Sequence, residues 1–140
     1  GVLYHTQMIK AGAKEGDEQF FYSQHSFDAQ KTPILKTSVH WHQGRIQGLI
    51  KTWYPGGQLE SQREMSDNQR HGLSTAWYHD GSLMLIEEYD LGKLVKGEYH
   101  RKGERNAISH VVDGSGLCSL FDGDGQFLRK VQYHQGMPSL

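Results

Sequence analysis

The chain has 140 residues, with fifteen Lys and Arg against sixteen Asp and Glu, and its net charge is -1. This balance provides no overall attraction to nucleic acid or an anionic membrane, and no apolar run reaches the ~18 residues that a membrane helix requires. The length fits one domain. Glycine accounts for 17 of the 140 residues, a share well above the usual ~7%, and this favours short strands and turns over a helical bundle.

Residues 1–40 lack the pattern that organises the rest of the chain, and we predict that they form an N-terminal capping segment. Gln19 to Phe27 and Ile34 to His42 alternate polar with apolar residues, which is typical of strands. These two strands would form a hairpin around Asp28 to Pro33. Thr6 to Glu18 is the stretch that has the potential to form a short helix.

Residues 41–138 repeat one pattern about four times, and residues 139–140 form a tail. The first clear unit contains Gly48, Trp53, Tyr54, Gly57, Leu59 and Asn68. The pattern recurs 24 positions later at Gly72, Trp77, Tyr78, Gly81, Leu83 and Gly92. A degraded unit from Gly97 to Gly116 precedes the last one, which has Gly116, Phe121, Gly125, Phe127, Tyr133 and Gly136. Such a period is typical of arrays whose units cannot bury their apolar faces alone.

Each unit is predicted to be a β-hairpin, because alternating runs flank a glycine that can adopt a positive φ. The hairpin tips are Pro55-Gly56-Gly57, Asp80-Gly81 and Asp124-Gly125. The reverse turns between hairpins are Asp67-Asn68, Leu91-Gly92 and Asp113-Gly114. The predicted fold is therefore all-β, an antiparallel meander of repeated hairpins that forms an elongated, twisted single sheet.

The large side chains of one parity in these strands are expected to form a single buried stripe. This stripe would consist of Leu49, Trp53, Leu59, Met65, Leu73, Trp77, Leu83, Leu85, Tyr89, Leu117, Phe121, Phe127, Val131 and Tyr133. The opposite parity mixes charged residues with Ile50, Met84, Ile86 and Leu128, so that face is expected to be covered only in part.

The units that begin at Gly48 and Gly72, each with a Trp-Tyr strand and a glycine tip, resemble the MORN-variant repeat. The resemblance extends over about Trp41 to Pro138. It implies a meander of hairpins of the kind found mainly in bacterial proteins of unknown activity, some of which are labelled antitoxin components of toxin-antitoxin systems. Its motif residues are turn and core residues, so the resemblance implies a scaffold and no active site.

Nine histidines make a metal site worth testing. His40 and His42 alternate on a strand and would share a face, but zinc needs three or four protein ligands. The sequence places no Cys or acidic residue predictably near them, so no metal site is predicted. His79, His100 and His134 each follow a tyrosine at a strand end, and this repetition predicts exposed imidazoles.

A calcium site is also not predicted. Asp122-Gly-Asp-Gly-Gln resembles the opening of a calcium loop, but Gln126 and Tyr133 stand where further oxygen ligands are needed. The equivalent place in the second unit is an ordinary hairpin tip.

The sequence also does not predict a catalytic arrangement of side chains. Glu87 and Glu88 point to opposite faces of one strand and cannot act together as acid and base. Cys118 is expected to be a small half-buried thiol, and as the single cysteine it excludes an internal disulfide. No cofactor is predicted.

One cluster of cations is a candidate interaction patch. It consists of Lys93, Lys96, Tyr99, Arg101, Lys102 and Arg105. Such a patch could contact phosphate groups or an acidic partner. The alternative is a solvated strand edge, where Lys and Arg discourage aggregation.

The sequence thus favours a non-catalytic protein-interaction module, either antitoxin-like or an accessory domain of a larger bacterial protein. Its partner would be another protein rather than nucleic acid, with no membrane span and with self-association through sheet edges as a further option. The alternatives are a metal-dependent or enzymatic domain that uses the histidines, and a membrane-surface module.

The location of the protein is left open by the sequence. Gly1 in place of Met suggests a cut or processed product, so a targeting signal could precede it. A single cysteine is compatible with a reducing, cytoplasmic compartment.

Overall fold

The computed structural model describes residues 5–10, 12–22 and 34–139. Two compact units divide the chain, one that ends at Gln69 and one that begins at Arg70. All regular elements of the described part are β-strands. This part contains no helix with the length and apolar character needed to cross a membrane.

The first unit contains seven strands. They are β1 (His5–Thr6), β2 (Ile9–Lys10), β3 (Ala13–Lys14), β4 (Gly16–Phe21), β5 (Leu35–His42), β6 (Arg45–Trp53) and β7 (Leu59–Ser66). Antiparallel pairing joins β1 to β4 and then follows the chain from β4 to β7, while β2 and β3 form a separate two-stranded ladder.

The second unit contains the remaining seven, of which β8 begins at the boundary between the units. They are β8 (Gln69–Trp77), β9 (Leu83–Asp90), β10 (Lys93–Tyr99), β11 (Ser109–Val112), β12 (Ser115–Phe121), β13 (Phe127–His134) and β14 (Met137–Pro138). Each strand pairs antiparallel with the next. Twelve strands thus belong to the antiparallel meander, and the predicted all-β class is confirmed.

The predicted short helix between Thr6 and Glu18 is wrong. Gly12 and Gly16 adopt φ values of 79° and 76°, which a right-handed helix does not allow. The chain turns back at these glycines and forms β2, β3 and the start of β4 instead. The predicted strand from Gln19 is present as part of β4, whereas the predicted turn at Asp28 to Pro33 lies outside the described residues.

The predicted turns between hairpins are confirmed. In each of them both central residues have positive φ, as in Asp113 (50°) and Gly114 (80°), and this geometry matches the twist of antiparallel strands. Gly114 also lies close to a second such turn, since an added Cβ would be 2.6 Å from the backbone nitrogen of Gly136. No other residue fits there without displacing the backbone.

Backbone hydrogen bonds connect these turns to one another in the second unit. The Gly114 amide donates to Val95 (2.8 Å), and the Gly136 amide donates to the Gly114 carbonyl (2.9 Å). The Leu94 amide in turn donates to the Gly136 carbonyl (3.1 Å). The sheet of this unit therefore curls until its last turn contacts β10.

The predicted single stripe is wrong, because a β-bulge adjoins the tip of several hairpins. In the β8–β9 hairpin, Ala76 pairs with Leu85 but Trp77 pairs with Leu83, which leaves Met84 as an extra residue. Directly paired residues share a face and neighbours along a strand do not. Leu83 and Leu85 therefore lie on opposite faces, although their sequence parity is the same.

The same shift occurs in three other hairpins. The extra residues are Lys36 in β5, Glu60 in β7 and Leu128 in β13. The stripe is thus divided between the two faces, and Leu73, Leu117 and Phe127 are exposed.

The core of the second unit forms on the face that carries Leu85. Its buried members are Tyr89, Leu94, Tyr99, Val111 and Cys118, and the side chains packed around them are Leu85, Leu120, Val131 and Tyr133. Leu94, Tyr99 and Val111 are completely buried. This cluster, which we call the tyrosine core, contains residues of five strands.

A carboxylate lies within the tyrosine core. Glu87 is 7% exposed, and its two oxygens accept hydrogen bonds from the hydroxyls of Tyr99 (2.7 Å) and Tyr89 (3.2 Å). Arg70 donates to the Tyr89 hydroxyl (2.8 Å), which extends the network to a cation. Burial and the Glu87 charge both raise the pKa of Tyr99, so its hydroxyl stays a donor.

The tyrosine core predicts which leucines matter for stability. Truncation of Leu94 to Ala should lower the free energy of unfolding by about 2 to 5 kcal/mol, since it empties a completely buried volume. Leu73→Ala, at a side chain that is 49% exposed, should change it by less than about 0.5 kcal/mol. Urea denaturation measures both, and similar losses would contradict the division of the faces.

The carboxylate network predicts a difference between two Tyr→Phe substitutions. Both Tyr99 and Tyr78 are completely buried, but the Tyr78 hydroxyl donates to the neutral carbonyl of His100 (2.6 Å). Tyr99→Phe should cost about 1.5 to 3 kcal/mol because a charged acceptor loses its donor, and Tyr78→Phe about 0.5 to 1.5 kcal/mol. Urea denaturation of the two variants tests this order, which equal losses would contradict.

Candidate interaction surface

Three chain reversals of the second unit meet at one end of its strands. The His79 amide donates to the carbonyl of Gly123 (3.0 Å), and His79 Nδ1 lies 2.7 Å from Asp124 Oδ1. The amide of Gly103, in the loop between β10 and β11, lies 3.3 Å from Ser82 Oγ and donates to it. These bonds hold the β8–β9 tip, the β12–β13 tip and the intervening loop together.

A groove of ≈ 500 Å³ opens beside these reversals, and we call it the basic groove. Its lining consists of Arg101, Lys102, Glu104, Ile108, Ser109, Leu117, Ser119, Phe121, Gly125, Phe127 and Lys130. Within it the rings of Phe121 and Phe127 meet edge to face at 5.8 Å. Small side chains form the interior of the groove, where Ser109 Oγ and Ser119 Oγ are 2.9 Å apart.

The bulge in β13 explains why Phe127 is outside the core, on the face where ordinary alternation along β12 places Phe121. Cys118 pairs with Val131 on the core face, whereas Phe121 pairs with Phe127 beyond the extra residue Leu128. The two rings therefore lie on the opposite face from the tyrosine core, and Phe127 remains 55% exposed.

Positive charge dominates the groove. Arg101, Lys102 and Lys130 are all exposed and stand against one acid, Glu104. Among the described residues, none of the ion pairs includes any of these three cations. Lys102 contributes to the lowered pKa of Asp80, but the main cause of that shift is the hydrogen bond from Ser82.

The structure separates the members of the predicted cation patch. Arg101 and Lys102 line the basic groove, and Arg105 is exposed on the same loop. Lys93 and Lys96 are exposed on β10, and Lys93 lies at the far end of this strand, about 20 Å from Tyr99 at ~3.3 Å per residue.

Tyr99 does not belong to any surface. It is completely buried because its ring covers Gly97, where an added Cβ would collide with the tyrosine side chain, and its hydroxyl bonds to Glu87. Its place in the predicted patch was wrong. Sequence reasoning also missed Lys130, which the β12–β13 register places opposite Ser119.

A second groove, of ≈ 400 Å³, lies in the first unit. His40 lies there with Asp17, whose Oδ1 is 2.8 Å from His40 Nδ1, and Lys51 also lines it. His42 Nδ1 is 3.0 Å from an oxygen of Glu15. These acidic neighbours could not be placed from the sequence, because they come from the pairing of β4 with β5 in a register that puts Asp17 opposite His40.

These pairs do not gather further ligands. No three His, Cys, Asp or Glu side chains of the described residues are grouped so that they could hold a metal ion. The side chains of His40 and Asp17 are 47% and 65% exposed.

A buried acid of the first unit is Glu18. Its carboxylate accepts a hydrogen bond from Trp41 Nε1 (2.8 Å) and lies within bonding distance of Lys14 Nζ (3.3 Å) and of His5. Burial acts to raise the pKa of Glu18, but these hydrogen bonds outweigh it and hold the pKa below its ordinary value. The carboxylate is thus a structural anchor for its neighbours.

The histidines at strand ends differ in burial. His79 and His134 are exposed, as predicted. His100 is buried, which corrects the prediction for this residue. Its Nδ1 lies 3.2 Å from the carbonyl oxygen of Glu104 in the following loop, while its amide donates to Met84 (2.8 Å) and its carbonyl accepts the Tyr78 hydroxyl.

Asp122, the first residue of the calcium-like sequence, stabilises its own turn. Its Oδ1 accepts hydrogen bonds from the amides of Asp124 (3.0 Å) and Gln126 (2.9 Å). The carboxylate thereby closes the hairpin tip beside the basic groove.

The thiol of Cys118 belongs to the tyrosine core. Burial raises the pKa of Cys118 to about 11, against which a hydrogen bond with Tyr99 acts only in part. The thiolate, which is the reactive form, is therefore scarce at neutral pH.

We expect Cys118 to react with iodoacetamide at pH 8 at least about 100-fold more slowly in the folded chain than in urea, since its pKa is about 11 rather than 9.0. Mass spectrometry of the alkylated fraction measures the rates. A Ser115→Cys variant in a Cys118→Ala background provides an exposed control that should react fast in the folded state. Equal rates for Cys118 in both states would contradict its burial.

No protein-family model matches this chain, and no curated protein matches it. Among solved structures, the crystal structure of TarM is similar at 13% sequence identity and a TM-score of 0.42. The similarity covers 79% of this chain and 19% of the TarM chain. A likeness at this level carries no conclusion about function.

Proposed function

We propose that this chain is a non-catalytic protein-interaction module and that the basic groove is its binding surface. The observation that carries the proposal is the combination of exposed apolar side chains with unpaired cations in one concave site. Leu117 and Phe127 are 38% and 55% exposed there, beside Arg101 and Lys130. Aromatic residues and Arg are the types most enriched at protein interfaces.

Burial of these side chains by a partner would contribute to binding. Removal of apolar surface from water is worth about 25 cal/mol per Å². The two phenylalanine rings of the groove hold each other edge to face, so they lose little freedom when a partner covers them. A preorganised site of this kind loses less side-chain conformational entropy when the partner binds.

The enzymatic alternative has weaker support from the same residues. The one thiol lies in the tyrosine core, and the carboxylate of Glu87 is occupied by two tyrosine hydroxyls. The side chains of His40 and Asp17 are both exposed to solvent, and water would weaken any electrostatic interaction between them.

The broader role remains a proposal from the resemblance to MORN-variant repeats. An antitoxin-like partner of another protein, or an accessory domain of a larger bacterial protein, would each use such a module without chemistry of its own.

Selection from a phage-displayed random peptide library tests the proposed surface. The immobilised chain should enrich peptides whose binding is lost in Leu117→Ser and Phe127→Ser, because both substitutions remove apolar contact area from the groove. Val112→Ser is the matched control, since Val112 is as exposed as Phe127 and lies in the same unit but does not line the groove. Fluorescence anisotropy with the enriched peptides gives the affinities.

The variants should retain their unfolding midpoints, since the substituted side chains are exposed. Failure to enrich any peptide, or enrichment of peptides that bind all three variants equally, would contradict the groove as the binding surface.

A further inference from the structure

We propose that the basic groove binds an extended protein segment that carries an apolar and an acidic residue two positions apart, on the same face of the segment. This inference rests on the proposed function and specifies the chemistry of the partner. It follows from the charges of the groove, from the spacing of its side chains and from the acids that surround it.

The charge of the groove favours an acidic partner. Three cations oppose one carboxylate, and none of the three takes part in an ion pair between described residues. Arg101 and Lys102 come from the loop after β10, whereas Lys130 comes from β13. Cations from two separate parts of the sequence therefore line the groove. A partner segment bound between the loop and β13 would contact cations from both.

The spacing of the groove favours an extended segment. Phe127 and Lys130 both come from β13, where Phe127 is opposite Phe121 and Lys130 is opposite Ser119. Because the bulge at Leu128 adds a residue without adding a ladder position, these two side chains share a face and lie two positions apart, about 7 Å at ~3.3 Å per residue. A partner segment in β conformation would match them with an apolar side chain and a carboxylate two positions apart, which lie on one face at the same separation.

The surrounding acids disfavour a polyanion. Glu104 lines the groove, and Asp124, whose Oδ1 is 2.7 Å from His79 Nδ1, precedes the lining residue Gly125 in sequence. Lys102 is also within electrostatic reach of Asp80. A phosphate backbone or an anionic bilayer would bring its charges against these carboxylates, whereas a short segment with a few acidic residues can avoid them.

Synthetic peptides test this assignment. The probes are a fluorescein-labelled peptide that repeats the unit Phe-Ser-Glu-Ser, in which Phe and Glu share one face of an extended chain, and two versions in which Lys or Ser replaces Glu. Fluorescence anisotropy should show that the Glu peptide binds at least about tenfold more tightly than the others. Its affinity should also fall as salt rises, because exposed charges are screened.

Charge reversal locates the binding site. Arg101→Glu and Lys130→Glu should each weaken the Glu peptide by about tenfold or more, since like charges then face each other. Lys93→Glu is the matched control on β10 outside the groove and should leave the affinity unchanged. Circular dichroism confirms that each variant is folded, as expected for exposed side chains.

Each other outcome is informative. The Ser or Lys peptide could bind as tightly as the Glu peptide and lose its binding in the Phe127→Ser variant. The groove is then an interaction site, but the assignment of an acidic partner is wrong. If phosphatidylglycerol vesicles displace the Glu peptide and bind at Lys130 more tightly than it does, the ligand of the groove is a lipid surface and not a protein segment. Equal binding of the Glu peptide to wild type and to Lys130→Glu would also overturn the inference.

Discussion

The extra residue beside the hairpin tips determines which side chains of this protein are buried. A strand exposes alternate residues to each face, so one inserted residue exchanges the faces for everything beyond it. In the β12–β13 hairpin this exchange puts Val131 with Cys118 in the tyrosine core and Phe127 with Phe121 in the basic groove. One backbone irregularity thus lets a single strand, β13, contribute to both the core and the groove.

The hairpins and turns could be predicted from the sequence because they depend on local chemistry. Glycine at a tip and a positive φ at a linker such as Leu91-Gly92 are properties of a few adjacent residues. The bulges carry no comparable signal. Met84 and Leu128 are ordinary apolar residues, and nothing in their type shows that they are left unpaired, so the predicted stripe assigned the wrong face to half of each hairpin.

The candidate site shows a second limit of the sequence. Two members of the predicted patch, Arg101 and Lys102, reach the groove, but Lys130 joins them only through strand pairing. Tyr99 appeared to interrupt a row of cations, yet its hydroxyl is needed by Glu87 in the interior. A buried carboxylate needs donors to offset its loss of hydration, and this demand acts between strands that are distant in the sequence.

The hydrogen-bonded turns of the second unit restrict how such a chain can change its length. Backbone hydrogen bonds connect Val95 to Gly114, Gly114 to Gly136, and Gly136 to Leu94. An insertion in the turn at Gly114 or in the turn at Gly136 would therefore displace more than one of these bonds. Loops commonly tolerate added residues, but these two would not. Changes of length are therefore accommodated at the opposite ends of the strands, where the β10–β11 loop is already longer than the neighbouring hairpin tips.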